Sequence, residues 1–371
     1  MSFTAFDHAC MAQALRLAAR GMETCRPNPR VGCVIAQDQE VVGRGWHERA
    51  GQEHAEIAAL AEADGRARGA TAYVTLEPCA HHGKTGPCTE ALIEAGIKEV
   101  VAATRDPNPR VNGSGLEQLR DAGIAVREGL MQAAAEDLNA GFFSRLKRNR
   151  PWVRVKLAHS VDGRTALSNG QSQWISSAAS RADVQRWRAR SCAILTGMGT
   201  LLSDDPSLNV REEAAIQPLR VILDSRWNTP PQSKTLALTG QVMIVGRDDL
   251  PIPTALSRSG AELLQLPAAG EKVDLGALLE ALAEREINEV QVEAGATLCG
   301  ALLSAGYIDE ILLYCAPCLL GAGARGMFLL DDLQDMSARV SLKWLDAERI
   351  GPDLRMRMRP VYGEDTCLQA S

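Results

Sequence analysis

The apolar residues of this chain switch between a helical and an extended period in two blocks, separated by one stretch that has neither. In the first block, Met11, Leu15 and Ala18 share a face of a helix over Phe6–Arg20. Val31–Ala36 and Val41–Trp46 flank Gln37-Asp38-Gln39-Glu40 and predict a hairpin. His54–Ala63 reads as a helix, Ala72–Leu76 as a buried strand, and Cys88–Ala95 as a helix closed by Gly96. Strand Ile97–Ala103, helix Gly115–Ala122, strand Ile124–Arg127 and a helix over 131–146 complete the block. The basic, Pro-ended run Leu146-Lys147-Arg148-Asn149-Arg150-Pro151 breaks the pattern and predicts a domain boundary.

The alternation then restarts. Val153–Leu157 is a strand, and Ser177 caps a helix to about Arg190. Strands follow at Ala193–Thr196, Val221–Leu223 and Val242–Val245, then helix Leu275–Arg285, strand Glu289–Val292 and helix Ala296–Ala305. Strand Ile311–Ala316 and a hairpin over 340–361 end the ordered chain, with 362–371 expected to fray. Strands alternating with helices bury both faces of a sheet, so each block predicts an α/β layer structure.

The 371 residues suit two domains of ordinary size. Before residue 151 there are 18 basic and 19 acidic side chains, and after it 22 and 27. Neither half has the excess of cations that a large nucleic-acid footprint needs, whereas a small phosphorylated ligand needs only one or two. Residues 1–20 lack an unbroken apolar stretch, and the longest apolar run, 311–324, contains Pro317, Gly321 and Gly323. No signal peptide and no membrane span are expected, and the protein is expected in the cytoplasm. In that compartment its ten cysteines stay reduced, so they are core thiols, metal ligands or reactive groups. Cys315-Ala316-Pro317-Cys318 has redox spacing but ends a strand, and is read as structural.

Chemistry concentrates at His54-Ala55-Glu56, Pro78-Cys79 and Cys88. One imidazole and two thiolates make a three-ligand set for tetrahedral zinc with one position left for water. Bound zinc lowers the pKa of its water toward ~7. Glu56, two residues past His54, is placed to take the water's proton and pass it to a leaving amine. The order H-x-E…P-C-x-x-C marks zinc deaminases. Here eight residues, Ala80 to Pro87, separate the cysteines, and their basic side chains suit an anionic substrate group. Two alternatives stay open at this level. A structural zinc site would take a fourth ligand from His81 or His82, and a nucleic-acid-editing deaminase would use the second half as a binding module.

The strings Pro27-Asn28-Pro29-x-Val31-Gly32-Cys33-Val34-Ile35, Gly45-x-His47, His54-Ala55-Glu56 and Thr75-Leu76-Glu77-Pro78-Cys79-x-His81-His82-Gly83-Lys84-Thr85-x-Pro87-Cys88 resemble the bifunctional deaminase/reductase family of riboflavin biosynthesis. The second half resembles the reductase part of the same family through Val155-Lys156-x-Ala158-x-Ser160-x-Asp162-Gly163-Arg164, Ser172-Gln173-Trp174-Ile175, Asp204-Asp205-Pro206-x-Leu208, Leu223-Asp224-Ser225 and Val292-Glu293-Ala294-Gly295. The resemblance implies an α/β fold in two parts. Residues 1–147 would be a cytidine-deaminase-like α/β/α sandwich acting as a zinc-dependent pyrimidine deaminase. Residues 151–363 would be a dihydrofolate-reductase-like α/β domain acting as an NADPH-dependent reductase.

The implied reactions are hydrolytic removal of the 2-amino group of 2,5-diamino-6-ribosylamino-4(3H)-pyrimidinone 5′-phosphate, then reduction of the ribosyl group to ribityl. Zn2+ and NADPH are the implied cofactors, and a small phosphorylated pyrimidine the partner, with no nucleic acid and no membrane. His54, Cys79 and Cys88 would hold the metal, and Glu56 would be catalytic. Asn28, His47, His81 and Lys84 would contact the deaminase substrate. Ala158, Trp174, Thr200, Asp204, Ser225 and the run Gly295, Ala296, Thr297, Leu298, Cys299, Gly300 and Ala301 match NADP-contacting positions. Lys156, Ser172, Arg188, Leu208, Arg211 and Glu293 match substrate-side positions. Arg188 and Arg211 are expected to pair a ribose 5′-phosphate. Lys156 is expected to polarise an opening C1′ imine or hold a hydroxyl, with Asp204 or Glu293 handling protons. A homo-oligomer, most simply a dimer, is expected for an enzyme of this size with apolar terminal segments.

Overall fold

The computed structural model of the chain describes residues 2–80, 86–109, 111–211 and 216–362. It divides into two compact units, Met1–Asn149 and Arg150–Ser371.

The first unit runs α1 (Ala5–Ala18), β1 (Gly32–Gln37), β2 (Glu40–Trp46), α2 (Ala55–Ala63), β3 (Thr71–Val74), α3 (Cys88–Glu94), β4 (Glu99–Ala102), α4 (Ser114–Asp121), β5 (Ala125–Glu128), α5 (Gln132–Leu138) and α6 (Ala140–Arg148). Its five-stranded sheet has the order β2-β1-β3-β4-β5. The β1–β2 hairpin turns on Asp38 and Gln39, both with positive φ, the arrangement that matches strand twist. Successive side chains on β1 point to opposite faces. Cys33 and Ile35 pack with Ala55, Ala59 and Ala63 of α2, Leu92 of α3 and Leu119 of α4. Val34 and Ala36 pack with Cys10, Met11 and Ala14 of α1 and Ala135 of α5. The sheet is therefore covered on both faces.

One predicted helix is two. The pattern over 131–146 predicts a single helix, but it breaks at Asn139. The Asn139 side-chain amide exchanges two hydrogen bonds with the backbone of Arg30, Arg30 N to Oδ1 at 2.8 Å and Nδ2 to Arg30 O at 2.9 Å. Satisfying that buried peptide outweighs one more helical turn.

The second unit opens with β6 (Trp152–Ser160), β7 (Arg164–Ala166), α7 (Ala178–Arg190), β8 (Ala193–Gly197), α8 (Met198–Asp204), β9 (Leu219–Leu223), α9 (Lys234–Ala237), β10 (Val242–Arg247), α10 (Thr254–Ser257) and β11 (Glu262–Leu266). It continues through β12 (Ala268–Ala269), β13 (Lys272–Val273), α11 (Leu275–Glu284), β14 (Glu289–Val292), α12 (Ala296–Ser304), β15 (Glu310–Ala316), β16 (Arg325–Gly326), β17 (Ser341–Ile350) and β18 (Asp353–Val361). Nine strands form one sheet in the order β11-β10-β9-β8-β14-β6-β15-β18-β17. From β11 to β15 they run parallel, and the terminal hairpin is antiparallel. Leucines of α11 and α12 cover one face over Val153, Leu195, Val221 and Val290. Val184 and Trp187 of α7 and Leu201 of α8 cover the other. The C-terminal ends of β6, β14, β8 and β9 lie side by side, the edge where open α/β sheets bind ligands.

Candidate active sites

In the first unit the backbone aims three ligating side chains at one point. His54 is the N-cap of α2 in extended conformation and makes no side-chain cap hydrogen bond. Cys88 is the first residue of α3, and Cys79 follows β3. One ligand atom from each lies within 4.8 Å of the others. His54 Nδ1 is 3.2 Å from Cys88 Sγ and 3.5 Å from Cys79 Sγ, and the Cys88 N–H donates to Cys79 Sγ at 3.4 Å. Hydrogen bonding with Cys88, then with His54, holds the Cys79 thiol at about 4. Two sulfurs and one ring nitrogen this close suit a single zinc ion. Among the described residues the cluster has these three ligands, and His81 and His82, the alternative fourth ligands, lie outside them.

Glu56 is buried in the first turn of α2, and burial, against the pull of His54, raises its carboxyl to about 7. That is the range in which one group both accepts and returns a proton at neutral pH. His47 is also buried, and its ring stands edge-on to His54 with centroids 5.4 Å apart. Burial lowers the His47 pKa, so the ring is neutral. Its Nδ1 faces Glu53 O at 2.9 Å and its Nε2 faces Asn28 Nδ2 at 3.0 Å. With Nδ1 protonated, Nε2 accepts from Asn28, which fixes both side chains beside the metal ligands. His81 and Lys84 lie outside the described residues.

The second unit holds a cavity of about 1110 Å³ along the C-terminal strand edge. It is lined by Lys156 and Ala158 of β6, by Ser172, Trp174, Arg188, Thr200, Asp204, Leu208 and Arg211, by Ser225 after β9, and by Glu293 to Leu298 and Ala301. Of the expected residues of this half, Cys299 and Gly300 do not line it. Cys299 is in the core, and a side chain at Gly300 would strike Leu329 O. They lie on the packed side of α12, whereas its first turn, from Gly295 to Leu298, meets the cavity. The N–H groups of a helix's first turn lack intrahelical acceptors and suit a phosphate.

Lys156, Glu293 and Arg188 meet on the floor. Arg188 Nε and Nη2 reach the Glu293 carboxylate at 2.7 and 2.9 Å, and Nη1 reaches Asn209 O at 3.0 Å. Burial alone would raise the Glu293 pKa, but Arg188 and Lys156 hold it at about 2. Burial lowers the Lys156 pKa, and Glu293 opposes that. Arg188 has its guanidinium engaged by Glu293 and Asn209 O, and Arg211 also lines the cavity. Glu293 is held as an anion on that floor.

The sequence also missed lining residues. Arg181 stacks over the Trp174 ring at 4.5 Å, and Arg226 and Lys272 line the end near Ser225. Arg226 directly follows a motif already singled out, but nothing local marks Arg181 or Lys272.

A three-ligand metal cluster with a buried acid in one unit, and a long cavity crossing a helix N-terminus in the other, define a zinc-deaminase-type and a nucleotide-cofactor-type enzyme on one chain. Residues 4–104 match the model of the cytidine and deoxycytidylate deaminase zinc-binding region, and residues 151–356 match that of the RibD C-terminal domain. The riboflavin biosynthesis protein RibD of Escherichia coli is 44% identical over 95% of this chain and 99% of its own length. That of Haemophilus influenzae is 43% identical over 97% and 99%. The solved structure of Acinetobacter baumannii RibD, form 1, aligns with a TM-score of 0.90 at 45% identity, covering 96% of this chain and 99% of its own. The Thermotoga maritima diaminohydroxyphosphoribosylaminopyrimidine deaminase/5-amino-6-(5-phosphoribosylamino)uracil reductase aligns with 0.85 at 32%, covering 96% and 99%. The chain belongs to the RibD family, the bifunctional deaminase/reductases of riboflavin biosynthesis. The family fixes the fold as cytidine-deaminase-like followed by dihydrofolate-reductase-like, and the cofactors as zinc and NADPH. It sets aside the nucleic-acid-editing alternative.

Proposed function

We propose that residues 1–147 deaminate 2,5-diamino-6-ribosylamino-4(3H)-pyrimidinone 5′-phosphate, and that residues 151–363 reduce the product to 5-amino-6-ribitylaminouracil 5′-phosphate. The observation that carries the first step is the meeting of His54, Cys79 and Cys88 beside buried Glu56. Zinc supplies water activation when bound, and NADPH supplies the hydride. Glu56 takes a proton from the attacking water on a carboxylate oxygen and delivers it to the departing ammonia. Asn28 and His47, locked to one another, hold the pyrimidine edge.

In the second unit the first turn of α12 and Ser225 hold the cofactor, with Ala158, Trp174, Thr200 and Asp204 around it. Arg211, Ser172 and Leu208 bound the substrate. Lys156 donates a hydrogen bond to the opening sugar carbon's heteroatom, and Glu293, held by Arg188, keeps Lys156 charged.

A homodimer is the assembly these features support. The edge strand β17 is ten residues long, and Trp344 on it is 59% exposed, with Leu342 two residues before it also exposed. A long exposed edge strand is a template for pairing with another chain. Cytoplasmic residence is supported by thiols such as Cys10, Cys33, Cys192 and Cys299, which form no disulfide, and by the lack, among the described residues, of a helix long and apolar enough to cross a membrane.

The test separates the two activities. Glu56→Gln should lower ammonia release from the diamino substrate by roughly 10²–10⁴-fold while zinc content stays near that of the wild type. Stripping the metal with a chelator should abolish the same step. NADPH oxidation with the deaminated intermediate should survive both treatments. Near-normal ammonia release by Glu56→Gln, or NADPH oxidation that does not require the intermediate, would overturn the assignment.

A further inference from the structure

Glu77 directly precedes Pro78 and the ligand Cys79, and it is 4% exposed. Its carboxylate is satisfied by backbone N–H groups. Oε1 accepts from Gly113 at 3.0 Å, Gly115 at 2.9 Å and Leu116 at 3.4 Å, and Oε2 accepts from Gly113 at 2.9 Å and Asp106 at 3.1 Å. Gly113 is the N-cap of α4, and Gly115 and Leu116 belong to its first turn. An N-cap side chain ordinarily accepts from these donors, and glycine has none to offer. Glu77 therefore caps α4 from 36 residues earlier in the chain, with a negative charge at the positive end of the helix.

The cap brings α4 hard against the turn that carries Cys79. A Cβ at Gly115 would lie 2.1 Å from Pro78 O, so the Pro78–Cys79 peptide rests directly on the first turn of the helix. One turn further along α4, Gln118 Oε1 accepts from Thr89 Oγ1 at 2.6 Å. Thr89 directly follows the ligand Cys88, and its N–H donates to Cys79 O at 3.2 Å. Helix α4 contributes no ligand of its own, yet it is tied to both sulfur-bearing turns, to one through Glu77 and to the other through Gln118.

Two thiolates held this close repel each other until a cation joins them, so the backbone has to keep them in place. The groups that orient metal ligands from behind also set the affinity for the metal. On the reading that His54, Cys79 and Cys88 take zinc, we propose that Glu77 is a positioning residue of the metal centre. By capping α4 it fixes the Pro78–Cys79 turn, and together with the Gln118–Thr89 tie it sets the spacing of the two sulfurs and so the affinity for the ion.

Glu77→Gln keeps the size of the side chain but turns an amide NH2 toward backbone donors in place of one oxygen. Zinc affinity of the full chain, measured by competition with a chromophoric chelator, should fall about 10–100-fold in this variant. The metal-free protein loaded with Co2+ should show a shifted or weakened sulfur-to-metal absorption band. Ammonia release should drop at one equivalent of zinc and recover in excess zinc, a rescue that a misfolded first unit would not show. NADPH oxidation by the second unit should stay at the wild-type rate. Gln118→Leu, which touches only the second tie, should lower zinc affinity by a smaller factor. Unchanged zinc affinity in Glu77→Gln, or a loss of ammonia release that excess zinc does not restore, overturns the positioning role and leaves the zinc site standing. Should that variant fail to fold, wild-type zinc affinity in Gln118→Leu overturns it instead. Failure of the wild-type chain to bind zinc overturns both.

Discussion

Arg188 and Glu293 form a two-pronged ion pair, Nε to Oε1 at 2.7 Å and Nη2 to Oε2 at 2.9 Å, although 105 residues separate them. Each belongs to a different element, α7 and the end of β14, and the pair closes the floor of the reductase cavity. The geometry matters because Lys156 sits in the same buried pocket. Burial works against its charge, and Glu293 is the carboxylate that opposes this. Arg188 keeps that carboxylate ionised and correctly turned.

Glu293→Gln should therefore act on the reductase through Lys156. Removing the anion removes what raises the Lys156 pKa, so the lysine loses its proton at lower pH. The alkaline limb of the reductase pH profile should move toward acid. The rate at its optimum should fall by roughly 10²-fold or more, the usual worth of a placed proton-handling group. Ammonia release by the same protein should stay near normal, since the substitution lies in the other unit. An unshifted pH profile would show that Glu293 does not tune Lys156.

How much of this was readable in advance depended on chain distance. The zinc set was legible because each ligand is pinned to a local signal: His54 and Cys88 each begin a helix, and Cys79 follows a strand and a proline. The alternation of periods likewise exposed both sheets. The pairing of Arg188 with Glu293 is not legible, because a helix-borne arginine carries no mark of the carboxylate it will meet; only the strand order β8-β14-β6 brings Glu293 under it. The break at Asn139 was hidden for the same reason, since its partner Arg30 lies 109 residues earlier. Strand β11, Glu262–Leu266, lacks clean alternation and becomes a strand through its parallel pairing with β10.

The seat of the metal site makes a second prediction. A Cβ at Gly45 of β2 would lie 2.1 Å from Ala55 O and 2.5 Å from Ala59 N. Ala55 is the first residue of α2, directly after His54. Gly45→Ala must push α2 off the sheet at the turn that carries both the imidazole ligand and Glu56. We expect a loss of about 1–3 kcal/mol in stability, the usual cost of overpacking. The zinc content of the purified protein should fall with it. Thermal unfolding and metal analysis measure both, and wild-type values for each would mean that the close approach of β2 and α2 is not needed.

The third prediction concerns acid. Arg154 of β6 is 2% exposed and bridges Glu289 Oε2 and Glu310 Oε2, each at 3.1 Å, while Arg357 reaches Glu310 Oε1 at 2.8 Å. Burial would raise the Glu310 pKa, but Arg154 and Arg357 outweigh it and hold it at about 2, from an ordinary 4.5. A carboxyl whose pKa is lower in the folded state binds its proton more readily when unfolded. Its stabilisation is thus complete above about pH 4.5 and drains away as pH falls toward 2. A depression of this size corresponds to roughly 3 kcal/mol. Glu310→Gln leaves Arg154 with one carboxylate in a closed pocket, so at neutral pH the variant should be less stable by about 3–5 kcal/mol. Its loss of stability between pH 4.5 and 2 should also be shallower than that of the wild type, because the titrating group is gone. Denaturant unfolding across that range checks both, and parallel curves for the two proteins would place the acid sensitivity elsewhere.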